Sequence, residues 1–229
     1  VFDEFRYDTG NAPLKELYQR YYKSIYASNL VITYVDPAAS TVMARCVAEA
    51  RVLRAYCHIN VDYTQGAMRN AVKKDFRDIY SSPMSQGTRC HQLATYIVFD
   101  SPLVMLCDAP TAYRKEPECT RFIAGLPVVA DETRILQGKM GEYIVTARRV
   151  GEDWIVGGLT DWEARTVDLD LSFLPEGMFR AEIFCDGINA DKKGEDYRHE
   201  YRDVKREDRL KMQLAPGGGF AIRLKKNHN

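Results

Sequence analysis

The sequence has no excess of charge of either sign: 32 Lys and Arg balance 32 Asp and Glu over 229 residues. That balance removes the electrostatic footprint of a protein that binds nucleic acid or an anionic membrane surface. No run of eighteen apolar residues occurs, so no segment reads as a membrane-spanning helix. The opening stretch, "VFDEFRYDTG", lacks the basic and apolar regions of a signal peptide and begins without Met, as expected of a processed product or a fragment. The six cysteines (Cys46, Cys57, Cys90, Cys107, Cys119 and Cys185) form no CxxC pair and have no histidine at metal spacing. A zinc site announces itself by such short spacings, so these are read as scattered buried thiols.

What is present fits an ordinary folded chain. Apolar residues make up 45% and charged residues 28%, and a chain of this length buries roughly 70% of its unfolded surface. Up to about residue 133 the pattern is mostly helical. "APLKELYQRYYKSIYAS" and "DPAASTVMARCVAEARVLRAY" each carry one apolar face, the second opening on Asp36 as N-cap and Pro37 at the first helical position. "NLVITYV" reads as a short buried strand between them. "SQGTRCHQLATYIVF" and "KEPECTRFIAGL" predict two more helices, with the apolar run "SPLVMLCD" in between. Helices alternating with short apolar runs predict part of an α/β architecture with parallel strands.

Beyond residue 133 the period becomes two. "TVDLDLSFL" alternates Val167, Leu169, Leu171 and Phe173 with polar residues, and "GEYIVTARRV", "DWIVGGLTDW", "FRAEIFCDG", "RLKMQL" and "FAIRLKK" read as its neighbours. The short links "GED", "LPEG" and "APGGG" are those of antiparallel meanders. One polar face per strand predicts a small sheet packed on one side only. "VVADETRIL" reads as the hinge into this β-domain. The expected fold is therefore α+β in two parts: helices with short strands, then an antiparallel, sandwich-like β-domain.

Several motifs in register carry a resemblance. "VDYTQGAMRNA", "MSQGTRCHQLATYIVFDSPLVMLCDAPTAY", "KEPECTRFIAGLPVVADETRIL", "GKMGEYIVTARR", "DWIVGGLTDW", "LDLSFLPEG", "FCDGINAD" and "LAPGGGFAIRL" follow the order seen in glycoside hydrolase family 97. Together they span about residues 60 to 226. The chain resembles the end of that family's (β/α)8 barrel, a remnant over 59–133, followed by its C-terminal β-sandwich over 134–229. Residues 1–58 form an unassigned βα-like segment outside the resemblance. The resemblance implies a calcium-dependent α-glycosidase of the α-glucosidase or α-galactosidase type, acting on an oligosaccharide or α-glycoside in the periplasm or outside a bacterium. It also implies that the calcium-holding and catalytic glutamates lie upstream of "VDYTQGAM". The Arg-Glu-Gly and Asn-Lys-Trp stretches expected there are absent, and Glu49 stands alone between residues 17 and 115 beside Arg45 and Arg51, as a solvated charge. Ala130 also stands where the family has a tryptophan.

Chemistry in such a barrel sits on the loops after its strands. That places Asp62 and Tyr63 at one strand exit and Asp100, in "FDSPL", at another, as substrate-facing residues. Because glycoside cleavage needs two flanking carboxylates, this chain is expected to be a truncated member without hydrolytic activity of its own. The alternative is a non-catalytic β-sandwich module with a structural role or weak carbohydrate contact. "DGINADKKGED" has the wrong spacing for an EF-hand and reads as a strand-exit turn. "PGGGF" lacks the Lys-Ser or Lys-Thr of a phosphate loop. His91 is read as a packing or hydrogen-bonding residue, and Trp162 as core or interface rather than a sugar platform.

Overall fold

The structure, a computed structural model, describes residues 63–100 and 104–227. The helices and strand expected before residue 57, and with them Glu49 and the 1–58 segment, lie outside the described residues. The elements in chain order are β1 (Tyr63–Thr64), β2 (Asn70–Ala71), β3 (Ser85–Gln86), α1 (Arg89–Val98), β4 (Val104–Met105), α2 (Pro110–Lys115) and α3 (Pro117–Ala124). The β-rich half follows: β5 (Glu132–Lys139), β6 (Tyr143–Val150), β7 (Asp153–Thr160), β8 (Arg165–Asp170), β9 (Met178–Asp186), β10 (Tyr197–Lys205), β11 (Arg209–Leu214) and β12 (Gly219–Lys226).

A six-stranded sheet in the order β10-β9-β12-β7-β6-β5 is antiparallel throughout, and β8 pairs antiparallel with β11 in a second layer. The period-two pattern explains the layering. Trp154 and Val156 of β7, Ile183 and Cys185 of β9, and Phe220 and Ile222 of β12 point to one side, where they pack with Val167 and Leu169 of β8 and Leu210 and Met212 of β11. Their alternates Ile155, Phe184 and Ala221 point to the other side and meet Leu93, Ile97 and Phe122. The sheet is thus covered on both faces, not on one as the polar alternation suggested. In β7 every residue after Asp153 is buried, because α1 occupies the face that the pattern left to solvent.

Helix α1 starts at Thr88, whose hydroxyl accepts from the His91 N–H at 3.1 Å, a side-chain N-cap. All ten of its residues are buried. It lies close on β7 because Gly157 has no side chain: a Cβ there would sit 2.9 Å from Ile97 Cβ and 3.0 Å from the Ala94 carbonyl. Gly157→Val would force the helix off the sheet. The expected cost is about 1–3 kcal/mol, read as a lower urea midpoint with an unchanged slope.

Two strands differ from the sequence reading. The stretch read as a hinge forms edge strand β5, paired with β6 across a bulge between Ile135 and Gln137. At the opposite edge, "YRHEYRDVK" forms β10, paired with β9 over all nine residues. The only parallel pairings among the described residues are β1 with β4 and β2 with β3, two residues each.

Candidate functional site

Of the three expected site residues, Asp62 lies outside the described residues. Tyr63 opens β1, which runs parallel to β4 with Tyr63 opposite Val104. Asp100 follows α1, where its Oδ1 accepts from Arg148 Nη2 of β6 at 3.2 Å. Arg148 also donates to the Val128 carbonyl at 3.3 Å. Asp100 is therefore charge-balanced by a buried arginine of the sheet.

The densest polar cluster lies at the start of α1. Asp186, at the end of β9, accepts from the Thr88 hydroxyl at 2.6 Å and from the backbone N–H groups of Ala215 at 2.8 Å and Gly219 at 3.0 Å. Burial outweighs these donors and pushes its carboxyl up to about 6. His91 Nδ1 meets the Gly218 carbonyl at 3.2 Å, and burial lowers its pKa to about 4, so the ring is a neutral donor to that carbonyl. The Thr88 and Arg89 N–H groups, which begin the helix without intrahelical partners, donate to the carbonyls of Gly217 and Gly194 at 2.9 and 2.6 Å. Both β-domain loops, 187–196 and 215–218, thus close on the first turn of α1.

Arg89 completes the junction from below. It is fully buried, with Nε on Asn70 Oδ1 and Nη2 on the Met68 carbonyl, both at 2.5 Å. Glu116 and Glu195 lie 3.5 and 4.0 Å from the two Nη atoms. A second cluster ties α3 to the sheet. Glu182 of β9 is held by the Arg223 guanidinium, the Tyr201 hydroxyl at 2.9 Å and His199 Nε2 at 3.2 Å. Burial raises the Glu182 carboxyl, but these partners together bring it below its ordinary value. His199 stacks on Phe184 at 4.0 Å, with its Nδ1 3.5 Å from Glu118 of α3.

A perturbed carboxyl beside a cleft is the usual mark of an acid catalyst, and Asp186 borders a groove of about 840 Å³. Its oxygens, however, are aimed at Thr88 and the 215–219 backbone. The groove runs between the β8–β11 layer and the 187–191 turn, and its lining includes Arg165, Arg198, Lys211 and Asp191 but no aromatic ring. It therefore offers no stacking surface to a pyranose. Burial also raises the thiols of Cys90, Cys119 and Cys185, which makes them poor nucleophiles. Trp162 packs over Gly217, a left-handed turn residue at φ +65°, so its ring closes the 215–218 loop.

The residues described do not fit a calcium site. Glu116 faces Arg89, Glu182 faces Arg223 and Asp186 is filled by donors. Asp196, in the turn after β9, accepts from the Asn189 N–H at 2.8 Å. No group of three or more His, Cys, Asp or Glu is gathered for a metal among the described residues.

The sequence reading missed the Thr88–Arg89–Asp186 junction. Its signals were a threonine immediately before a helix and an arginine on a helix with little solvent face, but the partner of Thr88 stands 98 residues away and those of Arg89 stand 19 and 21 away, on a stretch without helical or strand periodicity.

Comparison with known proteins agrees with this architecture. Residues 129–225 match the family described as "Glycosyl-hydrolase 97 C-terminal, oligomerisation". A retaining alpha-galactosidase of Bacteroides thetaiotaomicron is 58% identical over 165 residues, which is 72% of this chain and 25% of that protein. A probable retaining alpha-galactosidase of Streptomyces bingchenggensis is 30% identical over 130 residues, 57% of this chain and 19% of that one. Among solved structures, a glycoside hydrolase family 97 enzyme of a Pseudoalteromonas species, in complex with acarbose, superposes with a TM-score of 0.61. It is 38% identical and covers 62% of this chain and 23% of its own. The chain thus spans about a quarter of the length of the first of these relatives. It belongs to glycoside hydrolase family 97, of which it carries the C-terminal part.

Proposed function

We propose that this chain is the supporting and assembling portion of an α-glycosidase of the α-galactosidase type, which cleaves terminal α-glycosidic bonds of oligosaccharides. In this reading residues 59–133 close a (β/α)8 barrel, and the parallel β1–β4 pair is its trace. Asp62, Tyr63 and Asp100 are its substrate-facing residues, Asp100 being balanced by Arg148. The calcium and the glutamates that hold it belong to the upstream part of the complete enzyme, which would work in the bacterial periplasm or outside the cell.

One observation carries the supporting role. The sheet that matches the oligomerisation family is tied to the helix that precedes it through Asp186 on Thr88 and through the Arg89 N–H on the Gly194 carbonyl. A domain so joined transmits position between the sheet and the helix. The test is turnover of aryl α-galactoside and α-glucoside by the purified, demonstrably folded chain, with calcium and then with chelator. No turnover above the uncatalysed rate is expected. Calcium-dependent turnover, lost in Asp62→Ala, would place a working carboxylate set in this chain and overturn the assignment.

A further inference from the structure

We infer that Gln65 binds the sugar: its carboxamide, one residue past β1, takes two adjacent hydroxyls of a pyranoside, one as donor and one as acceptor. The inference rests on the α-glycosidase reading above and adds a substrate-binding residue to it. Gln65 is 4% exposed, yet neither its Oε1 nor its Nε2 has a hydrogen-bond partner among the described residues. It is the only side chain among those residues with two buried polar atoms left unpartnered. Buried polar groups are otherwise nearly always paired, so a carboxamide held in this way points to a group from outside the fold.

The loop that presents Gln65 is fixed. Gln92 Nε2 of α1 donates to the carbonyls of Gln65, Gly66 and Ala67 at 3.5, 3.1 and 2.9 Å. The Ala67 carbonyl also accepts from the Ser85 hydroxyl at 2.6 Å, and the Met68 N–H donates to Asp108 Oδ2 at 2.7 Å. Gly66, at φ +88°, makes the turn itself. These bonds engage the backbone of the loop and leave the Gln65 carboxamide alone. A binding residue needs such a frame, because a side chain on a fixed loop loses little freedom when its ligand arrives.

Position and chemistry name the ligand. Strands β1 and β4 run parallel with Thr64 opposite Met105, so the next residues, Gln65 and Leu106, leave the pair side by side at its carboxyl end. Ligands of parallel α/β architectures bind outside the carboxyl ends of the strands. Leu106 is 53% exposed, so this end of the pair opens to solvent beside the carboxamide. A carboxamide sets one acceptor beside one donor group. Two neighbouring ring hydroxyls, each able to donate and accept, match both. An anion would instead face the Oε1 lone pairs, so a neutral polyol fits better.

The other polar features are already engaged. At the groove beside β8, Arg165 is held by Asp161 and Glu142, and Arg198 lies 3.5 Å from Glu200. Gln92 Oε1 and His91 Nε2 are unpartnered too, but the second polar atom of each side chain is bonded.

Urea unfolding of the full chain, with and without methyl α-galactoside, tests the assignment. Gln65→Met keeps the length of the side chain and removes both polar atoms. Without sugar, this variant is expected to have a higher urea midpoint than the parent, because an unsatisfied buried group is gone. The sugar should raise the parent's midpoint further than the variant's. The variant records the general stabilisation that a sugar gives as an excluded solute, and the excess in the parent is binding. In the parent, the side-chain amide resonances of Gln65 should shift and saturate over millimolar sugar, while those of Gln92 stay in place. A lower midpoint for Gln65→Met without sugar would show that the carboxamide holds the fold together, and overturns the proposal. Equal stabilisation of parent and variant, or a Gln65 amide that the sugar does not move, removes Gln65 from the site and leaves the α-glycosidase reading intact. That reading fails by a different result, the turnover measurement given with it.

Discussion

Replacing Arg89 with alanine is expected to destabilise the chain by about 3–5 kcal/mol, the cost typical of breaking a buried charged network. The guanidinium sits in the first turn of α1, where a cation opposes the helix dipole by about 0.3–1 kcal/mol. That penalty is outweighed by a planar fork whose donors reach Asn70 and Met68, with Glu116 beside it. Removing it leaves the Asn70 and Met68 oxygens without a donor, and it leaves Glu116 without its cation. Arg89→Lys keeps the charge but cannot reach both oxygens from one point, so a loss between parent and alanine variant is expected. Small domains are stable by about 5–15 kcal/mol in total, so the alanine variant should unfold at a much lower urea concentration. A midpoint close to the parent's would mean that Arg89 only fills space.

The second large effect concerns pH. His91 and Asp186 flank the same loop and shift in opposite senses. His91 titrates near 4 in the fold but at 6.5 when unfolded, so the unfolded chain binds its proton first. Its contribution to stability is present above pH 6.5 and is lost as pH falls toward 4. Asp186 titrates near 6 in the fold against 3.8 unfolded, so the folded chain binds its proton first. Its contribution is present below 3.8 and is lost as pH rises through 6. Each amounts to roughly 3 kcal/mol at 1.36 kcal/mol per pKa unit. In the parent the two largely cancel between pH 4 and 6, and this junction leaves stability nearly flat there. Asp186→Asn removes one side, so that variant should lose about 3 kcal/mol of stability from pH 6.5 to 4. His91→Gln should instead gain stability as pH falls from 6 to 4. Parallel pH profiles for parent and both variants would refute these assignments.

The β-domain was legible because its strands bury alternate residues: Val167 and Leu169 of β8 and Leu210 and Met212 of β11 reveal their face directly. The helix over Arg89–Val98 was legible from its apolar set, Leu93, Tyr96 and Ile97. The two sheet edges were not. Only Val204 of β10 is deeply buried, and β5 sends only Leu136 toward the core, so neither shows the alternation that marks a strand. Nor was the second covered face legible, since what makes it a face is the absence of a side chain at Gly157. The junction could not be read from spacing, because Thr88 and Asp186 stand 98 residues apart. Asp100 was expected at a strand exit, but it follows α1, and nothing local pointed to Arg148 as its partner.

The account turns on α1 and the C-terminal sheet behaving as one body, so that the helix-bearing segment and the β-domain hold a common position. Native-state hydrogen exchange measures this directly. The buried amides of α1, at Leu93 and Ile97, and those of β7, at Ile155 and Val156, should open at the same free energy. They should also shift together in Arg89→Lys. Exchange of the α1 amides at a distinctly lower free energy than β7, unmoved by Arg89→Lys, would mean that the helix only rests on the sheet, and would contradict the supporting role assigned here.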